Sequence, residues 1–276
     1  MIKLNILSEN RDNCNFKGES GLSVLIEAFN NSFLFDTGYS NLFIENAKLL
    51  NINLNNVNTV VLSHGHSDHT NGVQYLSNGK TIILHPQCFK DRWSIRKQEF
   101  VGFKINEQQL KQNHNVVLTT APTKIFNNCY FLGEIPMIID FESNGNFSTT
   151  LDSNLTQTDH TEDDSGVAIT TKQGLVIFTG CGHRGVCNTI EHAKNITGQS
   201  TVYAIFGGFH LRKLEKQKEI IDKTIDYIKN NNIKIIYLGH CVTDDVIDYM
   251  EQQLPLTQII RIAAGKQFEL DVQPLN

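Results

Sequence analysis

Five apolar, strand-like runs in this chain stop at a residue able to hold a metal or a proton: FLFDTG, VVLSHGHSDH, VIFTGCGH, YAIFGGFH and IIYLGHC. This arrangement constrains the fold more than any other feature. A run that is apolar along its whole length is buried on both faces of a sheet. Strands that each end in His, Asp or Cys bring those side chains to one edge. The glycines beside them let the backbone turn sharply, so that the side chains converge. The chain is therefore expected to build one polar site along one sheet edge.

Between these runs, strand and helix patterns alternate, which gives an α/β (α+β) class. GLSVLIEAFNNSFLFDTG reads as two strands around an Asn30-Asn31 turn. GVAITTKQGLVIFTG reads as a hairpin through Lys172-Gln173-Gly174, and TIILHP as a strand stopped by Pro86. Helical spacing of apolar residues marks NLFIENAKLLNI and LEKQKEIIDKTIDYIKNNN. DDVIDYMEQQL opens with acids, as the helix dipole favours, and KQFELDV reads as a final strand. No Pro-, Gly- or Ser-rich linker divides the chain, so residues 1–276 are expected to form a single domain. The basic, aromatic stretch at about 86–135 interrupts the rhythm and is expected to be a lid or insertion.

Composition narrows the partners. Apolar residues make up 40% and charged residues 19% of the 276, as in an ordinary soluble globular protein. A net charge of −5 argues against nucleic acid as a partner. No run approaches the roughly 18 apolar residues of a membrane span, and MIKLNILSEN lacks a cleavage site, so no membrane and no secretion are expected. Six cysteines without a CxxC pair fit a reducing cytoplasm. A P-loop, a GxGxxG turn and a GxSxG elbow are all absent. A small-molecule, anionic substrate is expected, and assembly into a homo-oligomer is left open.

The strongest chemical signal is His64-x-His66-x-Asp68-His69, four donors in six residues directly behind an apolar strand. His64 and His66, two apart, can face one way from an extended turn, and Asp68 and His69 can face a second centre. Imidazole and carboxylate suit zinc, with manganese(II) or iron(II) as alternatives. Cys181 is either a thiolate ligand or a small buried thiol. His183, two residues on, could replace it as donor or contact substrate. His240, at a strand end, is a further candidate ligand. His210 is a candidate substrate contact or proton donor, set against a plain helix-cap histidine. Lys90, Arg92, Trp93, Arg96 and Lys97 form either an anion clamp or a solvated basic face.

The motif HGHSDH behind an apolar strand resembles the metallo-β-lactamase superfamily, which implies an αββα sandwich of two mixed sheets flanked by helices, with metal at its edge. LFDTG resembles the first motif and implies that Asp36 supports the metal loop without ligating. DHTEDDSGVAI resembles the third motif and implies His160 as a ligand; the alternative is a surface histidine among acids. VIFTGC resembles the fourth, where Cys181 stands in place of a metal-bridging aspartate, and YLGHC the fifth, with His240. LFDTG, LSHGHSDHTNG, HPQCF, GEIP, TGCGHRGVCNTIEHA and GGFHL together are similar to the branch of 7,8-dihydropterin-6-methyl-4-(β-D-ribofuranosyl)aminobenzene-5′-phosphate synthase. The chain departs from that branch at Ser67, Asn71 and Met137, where the branch usually has Tyr, Gly and Arg. The branch also often has an acid where His160 stands.

The resemblance implies a metal-dependent hydrolase with one or two zinc ions held by His64, His66, Asp68, His69, His160, Cys181 and His240. In that reading a metal-bound hydroxide attacks an ester, phosphoester or related bond. Asp68 orients it, and His183 or His210 steadies the developing charge or protonates the leaving group. Two alternatives use the same site: a transferase joining a pterin to an arylamine, and a metal-binding sensor without catalysis.

Overall fold

The structure is a computed structural model and describes residues 1–142 and 149–275. Two seven-stranded mixed sheets face each other. The first runs, edge to edge, Gln267–Leu270, Ile2–Ser8, Ser23–Ala28, Asn31–Phe35, Thr59–Val61, Thr81–Leu84 and Asn115–Leu118. The second runs Gln258–Arg261, Ile235–Leu238, Val202–Gly207, Gly174–Thr179, Gly166–Thr171, Cys129–Phe131 and Thr123–Phe126. Strand alternation makes the sandwich. Val24, Ile26 and Ala28 point to the space between the sheets, while Leu25 points outward, because successive side chains leave opposite faces.

The inner cluster joins Leu4, Ile26 and Phe35 of the first sheet to Val167, Phe178 and Phe206 of the second. Outside the first sheet, Phe43 and Ala47 of helix Leu42–Leu49 and Leu110 of helix Glu107–Asn113 cover Leu34, Val60 and Ile82. Outside the second, helices Val186–Thr197, Leu214–Asn230 and Asp244–Gln253 cover Ile177, Ile205 and Ile236. Every strand near the middle is therefore buried on both faces, which is why the runs read as continuously apolar. The layers are helix, sheet, sheet, helix: the αββα sandwich. Among the described residues no helix is long and apolar enough to cross a membrane.

The site's location follows from strand direction. Asn31–Phe35 and Thr59–Val61 pair in parallel, as do Gly174–Thr179, Val202–Gly207 and Ile235–Leu238. Parallel strands end on the same side, so all five carboxyl ends open onto one edge of the sandwich.

Two local expectations change. The hairpin turn is Phe29-Asn30, one residue earlier than expected: Ala28 pairs with Asn31, and φ is 52° at Phe29 and 67° at Asn30. Positive φ at both central residues is what a tight two-residue turn demands, and pairing of the flanking apolar runs outweighs the preference for asparagine there. The stretch 86–135 divides. Asn115–Leu118 is an edge strand of the first sheet, and Thr123–Phe126 and Cys129–Phe131 belong to the second. Within the remainder, Trp93–Ser94 pairs with Thr149–Thr150 as a small ribbon outside both sheets.

Candidate metal centre

His66 caps the short helix Ser67–Thr70, and this cap creates the first loop. His64 and His66 project from the extended segment before the helix, Asp68 and His69 from the helix itself. Gly65 between them has no room for a side chain, since a Cβ there would stand 2.2 Å from the Cys88 carbonyl oxygen. At three of the other strand ends the turning residues are not glycines. Asp36, His210 and His240 themselves adopt φ of 57°, 51° and 53°. Such strained non-glycine backbone persists where the surroundings over-determine it, and it gathers at functional sites.

The donors converge into two adjoining groups. The donor atoms of His64, His66 and His183 lie within 4.8 Å of one another, as do those of Asp68, His69 and His240. Cys181 stands between, grouped with His64 and His69 on one side and with His240 and Cys241 on the other. His64 Nε2 faces His66 Nδ1 at 2.9 Å, and His69 Nε2 faces His240 Nε2 at 3.0 Å. Cys181 Sγ is 3.3 Å from His69 Nε2, and Asp68 Oδ2 is 3.7 Å from His240 Nε2. Tetrahedral ligands at ~2.0–2.3 Å from a zinc ion stand roughly 3.3–3.8 Å apart. The Cys181–His69 and Asp68–His240 spacings fall in that range, and the two histidine pairs, a few tenths of an ångström closer, would have to open slightly around an ion.

The outer nitrogens of His64, His69 and His240 are tied down, which aims the inner ones. Ser63 Oγ meets His64 Nδ1 at 2.9 Å and donates to Asp36 Oδ2 at 2.8 Å. Asp36 Oδ2 also accepts from His69 Nδ1 at 2.7 Å, and its Oδ1 accepts from the Ser63 amide at 2.7 Å. Asp36 thus holds the outer nitrogen of His69 and the Ser63 support while belonging to no donor group itself, the geometry of an orienting residue. His240 Nδ1 lies 3.2 Å from Asn10 Oδ1, and its amide donates to Glu9 Oε1 at 2.5 Å.

Burial decides the protonation states. It pushes His64 well below the ordinary histidine range, helped by His69 and His66. It takes His66 to about 4 and His240 to about 3, with Arg92 and His69 respectively adding to the effect. His183 is likewise lowered by burial and by His210. These rings are neutral near pH 7, with lone pairs available to a cation. His69 is the exception: burial opposes its charge, but Asp36 and Asp68 outweigh burial and lift it to about 9. Burial also opposes the Asp68 carboxylate, yet His69 and His240 hold it below the usual range.

One expected ligand falls elsewhere. His160 is exposed and belongs to none of the donor groups among the described residues. The reason is local: its neighbours Asp159, Asp163 and Asp164 are the buried members of that loop, and burying them turns His160 outward. His183 occupies the place instead, joining His64 and His66 as well as standing near Cys181's loop. His210 is buried beside it, ring centroids 4.4 Å apart, and neither His210 ring nitrogen has a hydrogen-bond partner among the described residues. Burial, with Arg212, holds His210 well below the ordinary range.

The donors floor a cleft of about 660 Å³ whose walls include Tyr39, Arg96, Lys97 and Arg212. Of the suspected clamp, then, only Arg96 and Lys97 reach the cleft. Arg92 is fully buried in ion pairs with Asp159 and Asp163, and Lys90 pairs with Glu162. Trp93 packs edge-on against Phe100. Sequence reasoning missed Glu9 and Asn10, although LSEN ends the first strand just as the other stations end theirs. It also missed Arg212, which follows His210 by two residues.

Residues 17–87 match the model of the metallo-beta-lactamase superfamily. The chain is 33% identical over 258 residues to 7,8-dihydropterin-6-methyl-4-(beta-D-ribofuranosyl)-aminobenzene-5′-phosphate synthase of Methanocaldococcus jannaschii, covering 87% of both chains. It is 30% identical to an uncharacterized protein of the same organism, covering 87% of this chain and 90% of that one. Among solved structures it resembles Tm1679, a metal-dependent hydrolase of the beta-lactamase superfamily, with a TM-score of 0.84, 26% identity and coverage of 98% and 99%. Fold, donor groups and relatives converge: the chain belongs to the metallo-β-lactamase superfamily, in the branch that includes the dihydropterin-ribofuranosylaminobenzene-phosphate synthase.

Proposed function

We propose that the chain is a metal-dependent hydrolase of small anionic substrates carrying an ester, phosphoester or related bond. The observation that carries this reading is the pair of donor groups opening into a cleft walled by Arg96, Lys97 and Arg212. His64, His66 and His183 would hold one ion, and Asp68, His69 and His240 a second, with Cys181 adding a thiolate between them; His69 and the buried Cys181, both held protonated in the empty site, would give up a proton to bind. A soft sulfur beside imidazoles favours zinc over manganese or iron. When bound, the metal lowers the pKa of water and polarises the scissile oxygen.

The chain's own residues supply the rest. Asp68, ionised and half-buried at the cleft floor, accepts a proton from an attacking water and orients it. Arg96, Lys97 and Arg212 offset the substrate's charge and fix its anionic end away from the donors. His210 is neutral, so it steadies developing charge as an N–H donor and does not act as a charged acid. That refines the expected proton-donor role, and His183 is engaged in a donor group.

One finding favours a second reading, a transferase on the same site: the 33%-identical relative is a synthase. The two separate in one experiment. Protein stripped with chelator and reloaded with zinc or manganese is offered phosphodiester, thioester and lactone substrates. Metal-restored turnover of any of them supports the hydrolase. No turnover, together with pterin-dependent consumption of an arylamine, supports the transferase and overturns the hydrolase. Metal uptake without either reaction leaves a binding protein.

A further inference from the structure

One buried cluster outside the donor groups has no role in the chemistry above. Arg92 is fully buried, as are Asp163 and, within 3%, Asp159. Arg92 Nη2 donates to Asp163 Oδ1 at 2.6 Å, and Nε donates to Asp159 Oδ2 at 2.8 Å. A guanidinium with two carboxylates is costly to desolvate, and apolar side chains of similar volume are often at least as stable. A cluster retained in that place calls for a task that apolar packing cannot perform.

Its outer contacts show the task. Asp163 Oδ2 accepts from the amide of Gly65 at 2.7 Å, the one residue between His64 and His66. Asp159 Oδ2 accepts from Thr149 Oγ1 at 2.9 Å, and Thr149 Oγ1 lies 3.5 Å from His66 Nε2, the nitrogen facing away from His64. With its proton committed to Asp159, Thr149 Oγ1 can only accept from His66, which places the ring proton on Nε2 and leaves the inward Nδ1 bare. Arg92 also carries the backbone of the ribbon at the cleft wall: its carbonyl accepts from Val101, whose carbonyl accepts from Ser67.

We propose that Arg92, Asp159 and Asp163 are positioning residues that preset the His64–His66–His183 group for its ion, separately from the Asp68–His69–His240 group. Asp163 fixes the spacing of the two histidines through Gly65. Asp159 fixes the tautomer of His66 through Thr149. The side chains of the second group are held by Asp36, Asn10 and Glu9, none of which touches the cluster. Asp36 serves the first group too, through Ser63, and the cluster reaches the second group through the Val101–Ser67 backbone contact. The inference rests on the reading that both groups hold metal.

Asp163→Asn is the direct test. An amide presents one oxygen, so either Gly65 or Arg92 must face its NH₂ group. Thr149→Val is the gentler companion, removing only the hydroxyl. Zinc is titrated against a chromophoric chelator, and cobalt uptake is followed by its visible spectrum, in which a thiolate charge-transfer band reports the ion on Cys181. The wild type should bind two ions. Asp163→Asn should bind one of them about 10–100-fold more weakly, the usual loss on removing an outer support. The other should stay within about twofold, and the weakened ion should be the one that His183→Ala loses. Thr149→Val should weaken the same ion. Equal weakening of both ions means a general structural effect and overturns the inference, as does no weakening of either. A wild type that takes up no metal overturns the metal reading itself.

Discussion

Replacing Asp36 with Asn tests the support of the donor loop in a way that pH can dissect. Asp36 is fully buried and accepts from the Ser63 amide, the Ser63 hydroxyl and His69 Nδ1. Burial opposes charge on His69, and Asp36 is the largest of the influences that overcome it and raise the ring to about 9. The gap from 6.5 corresponds to about 3 kcal/mol at about 1.4 kcal/mol per pH unit, and Asp68 shares part of it. The sign follows from linkage. A histidine whose folded value is raised contributes fully below about 6.5, loses its contribution as pH climbs, and contributes nothing above about 9. Urea unfolding of metal-free protein should therefore find Asp36→Asn less stable by about 2–3 kcal/mol at pH 6. At pH 10 the difference should shrink to about 1 kcal/mol, the remainder being rearranged hydrogen bonds. A difference that is equal at the two pH values, or larger at pH 10, refutes the ion-pair reasoning.

Other predictions follow from individual positions. Gly65→Ala puts a methyl 2.2 Å from the Cys88 carbonyl oxygen and 2.4 Å from Arg92 Nη1. It should cost about 1–3 kcal/mol and lower zinc content, read by calorimetry and metal analysis; unchanged melting would refute the close approach. Asp164 is buried, which lifts its carboxyl to about 8. A raised acid is stabilised by folding only while protonated, so the native protein should lose stability relative to Asp164→Asn as pH rises from about 4 to 8. Urea unfolding at pH 5 and pH 8 checks this, and a gap that does not widen contradicts it. Arg212→Met should raise KM for a phosphate-bearing substrate about tenfold, near 1.4 kcal/mol, with a smaller change in kcat. An unchanged KM would remove Arg212 from substrate binding.

The parts of the site legible in the sequence are those where local order and spatial order coincide. His64, His66, Asp68 and His69 share one loop, and a strand before it fixes their exit, so spacing alone groups them. The strand-end rule also located Cys181, His183, His210 and His240, because parallel strands carry their carboxyl ends to one edge. It could not say which donor joins which group. His183 and Cys181 are two residues apart and serve neighbouring groups, a division made by the positive φ of Gly182 between them. His160 stands among acids in DHTEDD, where spacing does not say which side chain turns inward; the buried Arg92 pairs with Asp159 and Asp163, and His160 is left exposed. Glu9 and Asn10 escaped notice since their partner His240 lies at the far end of the chain. The strands inside 86–135 are two to four residues long, too short for a periodic signal.

His183, and not His160, groups with His64 and His66 as the donors that could hold an ion. Zinc stoichiometry of the wild type, His183→Ala and His160→Ala, purified without chelator, tests it most directly. The wild type should hold about two equivalents, His183→Ala about one and His160→Ala about two. A wild type holding less than about half an equivalent of any transition metal, or a His160→Ala protein that loses an ion while His183→Ala keeps both, contradicts it.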